Sequence, residues 1–174
     1  MNHCREMAIK AQEAADMATA QGLSGQDALN AFDEQLSKWY VGRRMDSFIG
    51  AMRYYNYLRE NGGDLGKMGA ELYPTHFGTN GFPEKFLDTK NRAEDQTHHV
   101  VAYLSLGIND SRATKGVHTF ADSDNPGDVR LGSVAYKLGK VLKNDPSWLQ
   151  RKGDQGVGAL LYTNICLGKA NINY

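Results

Sequence analysis

The chain has 174 residues, 41% hydrophobic and 23% charged, with 20 basic residues against 20 acidic ones. That length suits a single domain spanning residues 1–174, since domains cluster at roughly 100–150 residues, and the composition excludes a disordered chain. Balanced charge removes any global drive toward DNA, RNA or an anionic membrane, and no run of about 18 apolar residues exists to cross a bilayer.

Residues 4–20 predict a helix whose shallow face is Met7, Ala8, Ala11, Ala14, Ala15 and Ala18, ended by Gly22. A second helix starts at Ser24, where Ser24-Gly25-Gln26-Asp27 fits a capping box with Asp in place of Glu. Its stripe is Leu29, Phe32, Leu36 and Trp39, and Gly42 is expected to break or bend it. A third helix then covers about 43–60 with Met45, Phe48, Ile49, Met52, Tyr55 and Leu58 on one face, and Asn61-Gly62-Gly63 stops it. Tyr54, Tyr55 and Tyr57 lack the basic groove that base stacking needs, and read as core and boundary residues.

From 64 to 90 the chain is irregular, broken by Pro74, Gly78, Asn80-Gly81 and Pro83. Loops this long are often functional. This one carries His76, and Tyr73, Phe77 and Phe82 are expected to anchor it to the core.

Residues 91–108 predict a helix that is apolar nearly all round, hence buried and central. Ala93, Thr97, Val100, Val101, Leu104 and Ile108 share one side, with Ala102 and Leu106 on the other. A second long connection, 109–126, contains His118 in a possible short strand. Its acidic stretch places Asp122, Asp124 and Gly127 at calcium-loop spacing. Pro126 and Ser133 then occupy ligand positions, so a turn followed by a helix cap explains the segment better than calcium does. Residues 127–143 make the next helix, with Leu131, Val134, Ala135, Leu138, Val141 and Leu142 inward. Gly132 and Gly139 are expected to admit another helix backbone, and Asp128 to complement the helix dipole. A short helical segment at Asp145-Pro146-Ser147, a flexible stretch from Gly153 to Gly158 and an apolar helix over 157–167 complete the chain.

Arg43-Arg44 and Lys137, Lys140 and Lys143 read as solvated helix faces. The N-terminus has no signal-peptide core, so a soluble, cytoplasmic location is expected, or a secreted one if the sequence is a mature or excised part of a longer protein. Cys4 and Cys166 are expected as reduced thiols, with a single disulfide between them as the alternative in an oxidising compartment, and no zinc spacing surrounds them.

The chemistry concentrates in Glu94-Asp95-Gln96-Thr97-His98-His99. On a helix Glu94 pairs with His98, and Asp95 with His99, at i,i+4. A carboxylate that holds one ring nitrogen fixes the tautomer and raises the basicity of the other, as a general base requires. Adjacent histidines point about 100° apart on a helix, and neither HExxH nor HxxEH is present, so no metal and no cofactor is expected. The bland alternative is a polar start to a buried helix. No GxSxG elbow, Walker A loop or GxGxxG turn occurs, and Gly153-Asp154-Gln155-Gly156-Val157-Gly158 has the wrong spacing for a phosphate loop.

The expectation is therefore an all-α domain of six to eight helices around the 91–108 helix, with two long loops. Its expected function is that of a small hydrolase-like or effector-like catalytic domain. His98, His99, Glu94 and Asp95 would act on an unknown small-molecule or polymer substrate. The alternative is a non-enzymatic helical module that binds a protein partner.

Overall fold

The computed structural model describes residues 2–60, 81–88, 96–110 and 125–169, with backbone only for 43–60. Among the described residues are five α-helices and no strand. They are α1 (His3–Ala20), α2 (Gly25–Glu60), α3 (Thr97–Ile108), α4 (Pro126–Asn144) and α5 (Val157–Leu161), which runs into a π turn at Tyr162–Cys166. Tight 3₁₀ turns occur at Glu84–Phe86, Pro146–Gln150 and Gly153–Gln155. No helix of the described residues is long and apolar enough to cross a membrane.

Helix α1 is capped by Asn2, whose side chain accepts the Arg5 N–H at 2.9 Å. Its buried face is the expected one, Met7 with Ala8, Ala11, Ala14, Ala15 and Ala18, joined by Cys4. After it, Gly22 turns the chain at φ +74°.

The expected break at Gly42 does not occur: α2 is one helix of 36 residues. A helical glycine costs only about 1 kcal/mol relative to alanine, and Leu29, Phe32 and Leu36 hold the N-terminal half firmly in the core. A Cβ built on Gly42 meets nothing within 4 Å, so no neighbour requires glycine there. Gly42→Ala is expected to stabilise the fold by about 0.5–1 kcal/mol. Urea denaturation checks the sign, and a loss of stability would show that the glycine serves a packing need. The expected face of 43–60 lies outside the described side chains.

Helix α3 buries Val100, Val101, Leu104 and Ile108 as expected. All-round burial is not found: Ala102 is exposed and Leu106 only partly covered. In α4, Leu131, Ala135, Leu138 and Leu142 are fully buried, while Val134 and Val141 sit at the margin. Pro126 opens that helix, where its missing N–H leaves no bond unmade.

The most extensive interface is α3 against α4. The helices run parallel in a four-residue register: His99 meets Asp128, Tyr103 meets Gly132 and Gly107 meets Tyr136. Their N-termini therefore lie at the same end. Glycines set the separation. A Cβ on Gly139 would sit 2.2 Å from the Leu104 carbonyl oxygen, and one on Gly107 would sit 2.2 Å from that of Tyr136. The sequence named Gly132 and Gly139 for this role, and Gly107 completes it from the facing helix.

At the start of α4, a Cβ on Gly127 would lie 1.8 Å from the Leu87 carbonyl oxygen, so the 81–88 segment packs there backbone to backbone. Phe82, Phe86 and Leu87 are buried and anchor that segment, as expected for Phe82. Tyr73, His76 and Phe77 lie outside the described residues, as do His118, Asp122 and Asp124.

The C-terminal third folds back on α1. Gln12 receives the Gly158 N–H at 3.1 Å and donates to the Arg151 carbonyl at 3.2 Å. Gly156 and Gly158 were expected to be flexible. Instead they let α5 approach α1, and a Cβ on Gly158 would meet the Ala8 carbonyl oxygen at 2.6 Å. The thiols expected to be reduced are joined: Cys4 and Cys166 form a disulfide with Cα atoms 5.7 Å apart. The alternative pairing is the one found, and the packing of α1 against α5 brings together cysteines 162 residues apart.

Surface ion pairs depress several carboxyls. Burial pushes Asp16 up, but hydrogen bonds from Lys152 and Gln12, with the Lys152 charge, hold it below the usual range. A hydrogen bond from Lys140 does the same for Asp110, and one from Ser147 for Asp145. Depressed folded-state values mean stability that is complete above the unfolded carboxylate range, near pH 4, and lost as pH falls through the folded values. Denaturation curves between about pH 5 and pH 2 should show this decline, and Lys152→Met should flatten it slightly, since an exposed pair contributes little. A decline that steepens in that variant would contradict the pairing.

Candidate functional site

His98 and His99 lie in the first turn of α3, and the structure finds a carboxylate for His99 on a different helix. The Nε2 of His99 is 3.2 Å from Oδ2 of Asp128, the third residue of α4. Glu94 and Asp95, the partners expected from helical spacing, lie outside the described residues. So do His76 and His118.

Asp128 is buried at 4% exposure, which makes its partners decisive. Gln96 donates its Nε2 to Oδ1 at 2.9 Å, and Asn125 donates its Nδ2 to Oδ2 at 2.6 Å. With His99, three donors from the two helix starts converge on one carboxylate. The parallel register adds a second stabilisation. Both α3 and α4 direct the positive ends of their dipoles toward this end of the bundle, where an anion is favoured. Asn125 does not cap α4 with its side chain; that side chain serves Asp128 instead.

Donor and acceptor logic orients the contact: His99 turns Nε2 toward Asp128 Oδ2, the nitrogen that would donate to the carboxylate. By the same logic Gln96 presents its amide nitrogen to Asp128. Its Oε1 is buried and has no hydrogen-bond partner among the described residues.

The His98 ring lies 3.9 Å from that of His99, tilted by 40°. Adjacent helical positions diverge at the backbone, yet the two rings lean together. His98 is the more open of the two, and His99 is 8% exposed. Tyr103, one turn further along α3, stacks on His99 at 6.4 Å.

A groove of about 460 Å³ opens elsewhere, between α1 and the α5 segment, lined by Arg5, Ile9, Gln12 and Tyr162 among others. Neither His99 nor Asp128 borders it. Among the described residues no group of three or more His, Cys, Asp or Glu is placed to hold a metal ion.

Spacing within α3 located the histidines. It could not locate Asp128 or Asn125 as their setting, because the contact joins elements 29 positions apart through tertiary packing, and Gln96, though inside the same hexapeptide, was given no role. The one local signal was Asn125-Pro126-Gly127-Asp128, a helix start that puts an acid in the first turn.

Comparison with models of known protein families, with characterised proteins and with solved structures found no match to this chain.

Proposed function

We propose that the chain is a hydrolase-like catalytic domain in which His99 is the general base and Asp128 orients it. The observation that carries this is the buried His99–Asp128 contact, with Asp128 itself held by Gln96 and Asn125. A carboxylate with every oxygen occupied cannot swing away, so the imidazole it holds is fixed in direction and tautomer. The His99 imidazole then takes a proton from water. The resulting hydroxide attacks a carbonyl or phosphoryl centre, and the imidazolium returns the proton to the departing group. Asp128 stabilises the transient positive charge without itself being protonated.

His98, against the His99 ring, contributes the solvent-facing side of the site. Glu94 and Asp95 stay in the proposed site on sequence spacing alone, Glu94 as the partner of His98, with Asp128 taking at His99 the part expected of Asp95. Residues 1–174 act as one domain organised around the 91–108 helix, and the substrate is a small molecule or polymer rather than nucleic acid.

A screen of esters, phosphodiesters and glycans tests the proposal. At least one class should be hydrolysed, at a rate that rises with pH to a plateau, because the base must be neutral. A rate that does not depend on pH would remove histidine from the chemistry.

A second function, a helical module that binds a protein partner, is favoured by one observation. Ile9 is 50% exposed on the wall of the α1–α5 groove, where a partner's apolar side chain would cover it.

A further inference from the structure

We propose that the Cys4–Cys166 disulfide is a redox gate on α1: the helix is firmly seated only while the bond is oxidised, and a dithiol reductant releases it. The chain contains only these two cysteines, so no alternative intramolecular pairing competes.

The seat itself is thin. Apart from Cys4 and Met7, every buried residue of α1 is an alanine, and each contributes a single methyl to the core. The polar links to the C-terminal segment run through Gln12 to Gly158 and Arg151, and through Lys152 to Asp16. All of these are exposed or half-buried, where water replaces them readily. At Gly158 the α5 backbone comes directly against the Ala8 carbonyl. The covalent bond closes a loop across 162 positions. While the bond is intact the first turn of α1 stays tethered to the π turn and cannot leave its seat at that end.

The two cysteines are unequally covered. Cys4 is fully buried, whereas Cys166 is only partly covered at the π turn. A reductant thiolate therefore attacks Sγ of Cys166 and forms a mixed disulfide, and Cys4 departs as a thiolate that takes up a proton. The second thiol of the reductant then attacks its own sulfur in the mixed disulfide and releases Cys166. Two electrons pass from the dithiol to the protein, which ends with two thiols while the reductant ends as a disulfide.

Release is local because the α3–α4 interface has its own close contact at Gly107 and Gly139, in which neither Cys4 nor Cys166 takes part. In an oxidising compartment the gate is closed, and in a reducing one it stands open.

Hydrogen exchange on the full chain tests this, comparing oxidised protein, protein reduced with dithiothreitol, and the doubly substituted Cys4→Ala/Cys166→Ala variant. Reduction should speed exchange of the α1 amides by at least 100-fold while α3 and α4 keep most of their protection, and reoxidation should reverse the change. The double variant should match the reduced protein and ignore dithiothreitol. Three results would overturn the gate: unchanged α1 exchange on reduction, loss of protection equally in α1, α3 and α4, or two free thiols persisting after oxidative refolding.

Discussion

Asp128→Ala is expected to destabilise the protein by about 3–5 kcal/mol, the range seen when one partner of a buried charged network is removed. The substitution strands three buried donors at once: Gln96 Nε2, Asn125 Nδ2 and His99 Nε2. Each loses its acceptor in a place water does not reach freely, and an unmet buried donor costs about 1–3 kcal/mol. Both helix N-termini also lose the anion they face. Asp128→Asn should be milder, because one oxygen survives. Its amide nitrogen then confronts a donor, so a penalty remains. Chemical denaturation of the three proteins gives the ordering, with alanine below asparagine below wild type. Equal stability of all three would mean that the network does not hold α3 to α4.

The glycine contact between those helices carries the second large effect. Gly139→Ala places a methyl 2.2 Å from the Leu104 carbonyl oxygen and 2.9 Å from the Gly107 Cα. Both obstacles are backbone, so no side chain can rotate away and the helices must separate. The loss should reach about 3 kcal/mol, the upper end for overpacking. Gly107→Ala should behave alike, since its methyl meets the Tyr136 carbonyl and the Gly139 Cα from the other side. Once either methyl has parted the helices, the second finds room. The double variant should therefore lose clearly less than the sum of the two singles. Strict additivity would show that the two glycines do not share one contact.

Much of the helical framework was legible because its faces are periodic. Met7 and the alanines of α1, and Leu131, Ala135, Leu138 and Leu142 of α4, recur every three or four residues and are buried as the spacing demanded. Local signals misled where tertiary energy outweighed them. Gly42 marks a weak point, yet one glycine is too small a penalty to end a helix anchored by Phe32 and Leu36. Contacts between distant segments left no local trace. Cys4 and Cys166 meet only because α5 packs on α1, and His99 meets Asp128 only because α3 and α4 are parallel and in register. The seven-residue spacing of Gly132 and Gly139 did announce a close helix contact, but not which helix would fill it. The histidines of the site were found from sequence. The carboxylate that the structure pairs with His99 was read as a dipole residue, because an acid in the first turn of a helix looks the same from either role.

The claim that His99 is a base held by Asp128 meets its most direct test in His99→Gln, compared with wild type for both hydrolysis and thermal midpoint. Glutamine retains an N–H for Asp128 but has no basic nitrogen, so packing and chemistry part company. The account predicts a fall in turnover of about 100-fold or more, the lower bound for losing a general base, with the midpoint nearly unchanged. Hydrolysis that persists undiminished, or that disappears only as the variant unfolds, would contradict it.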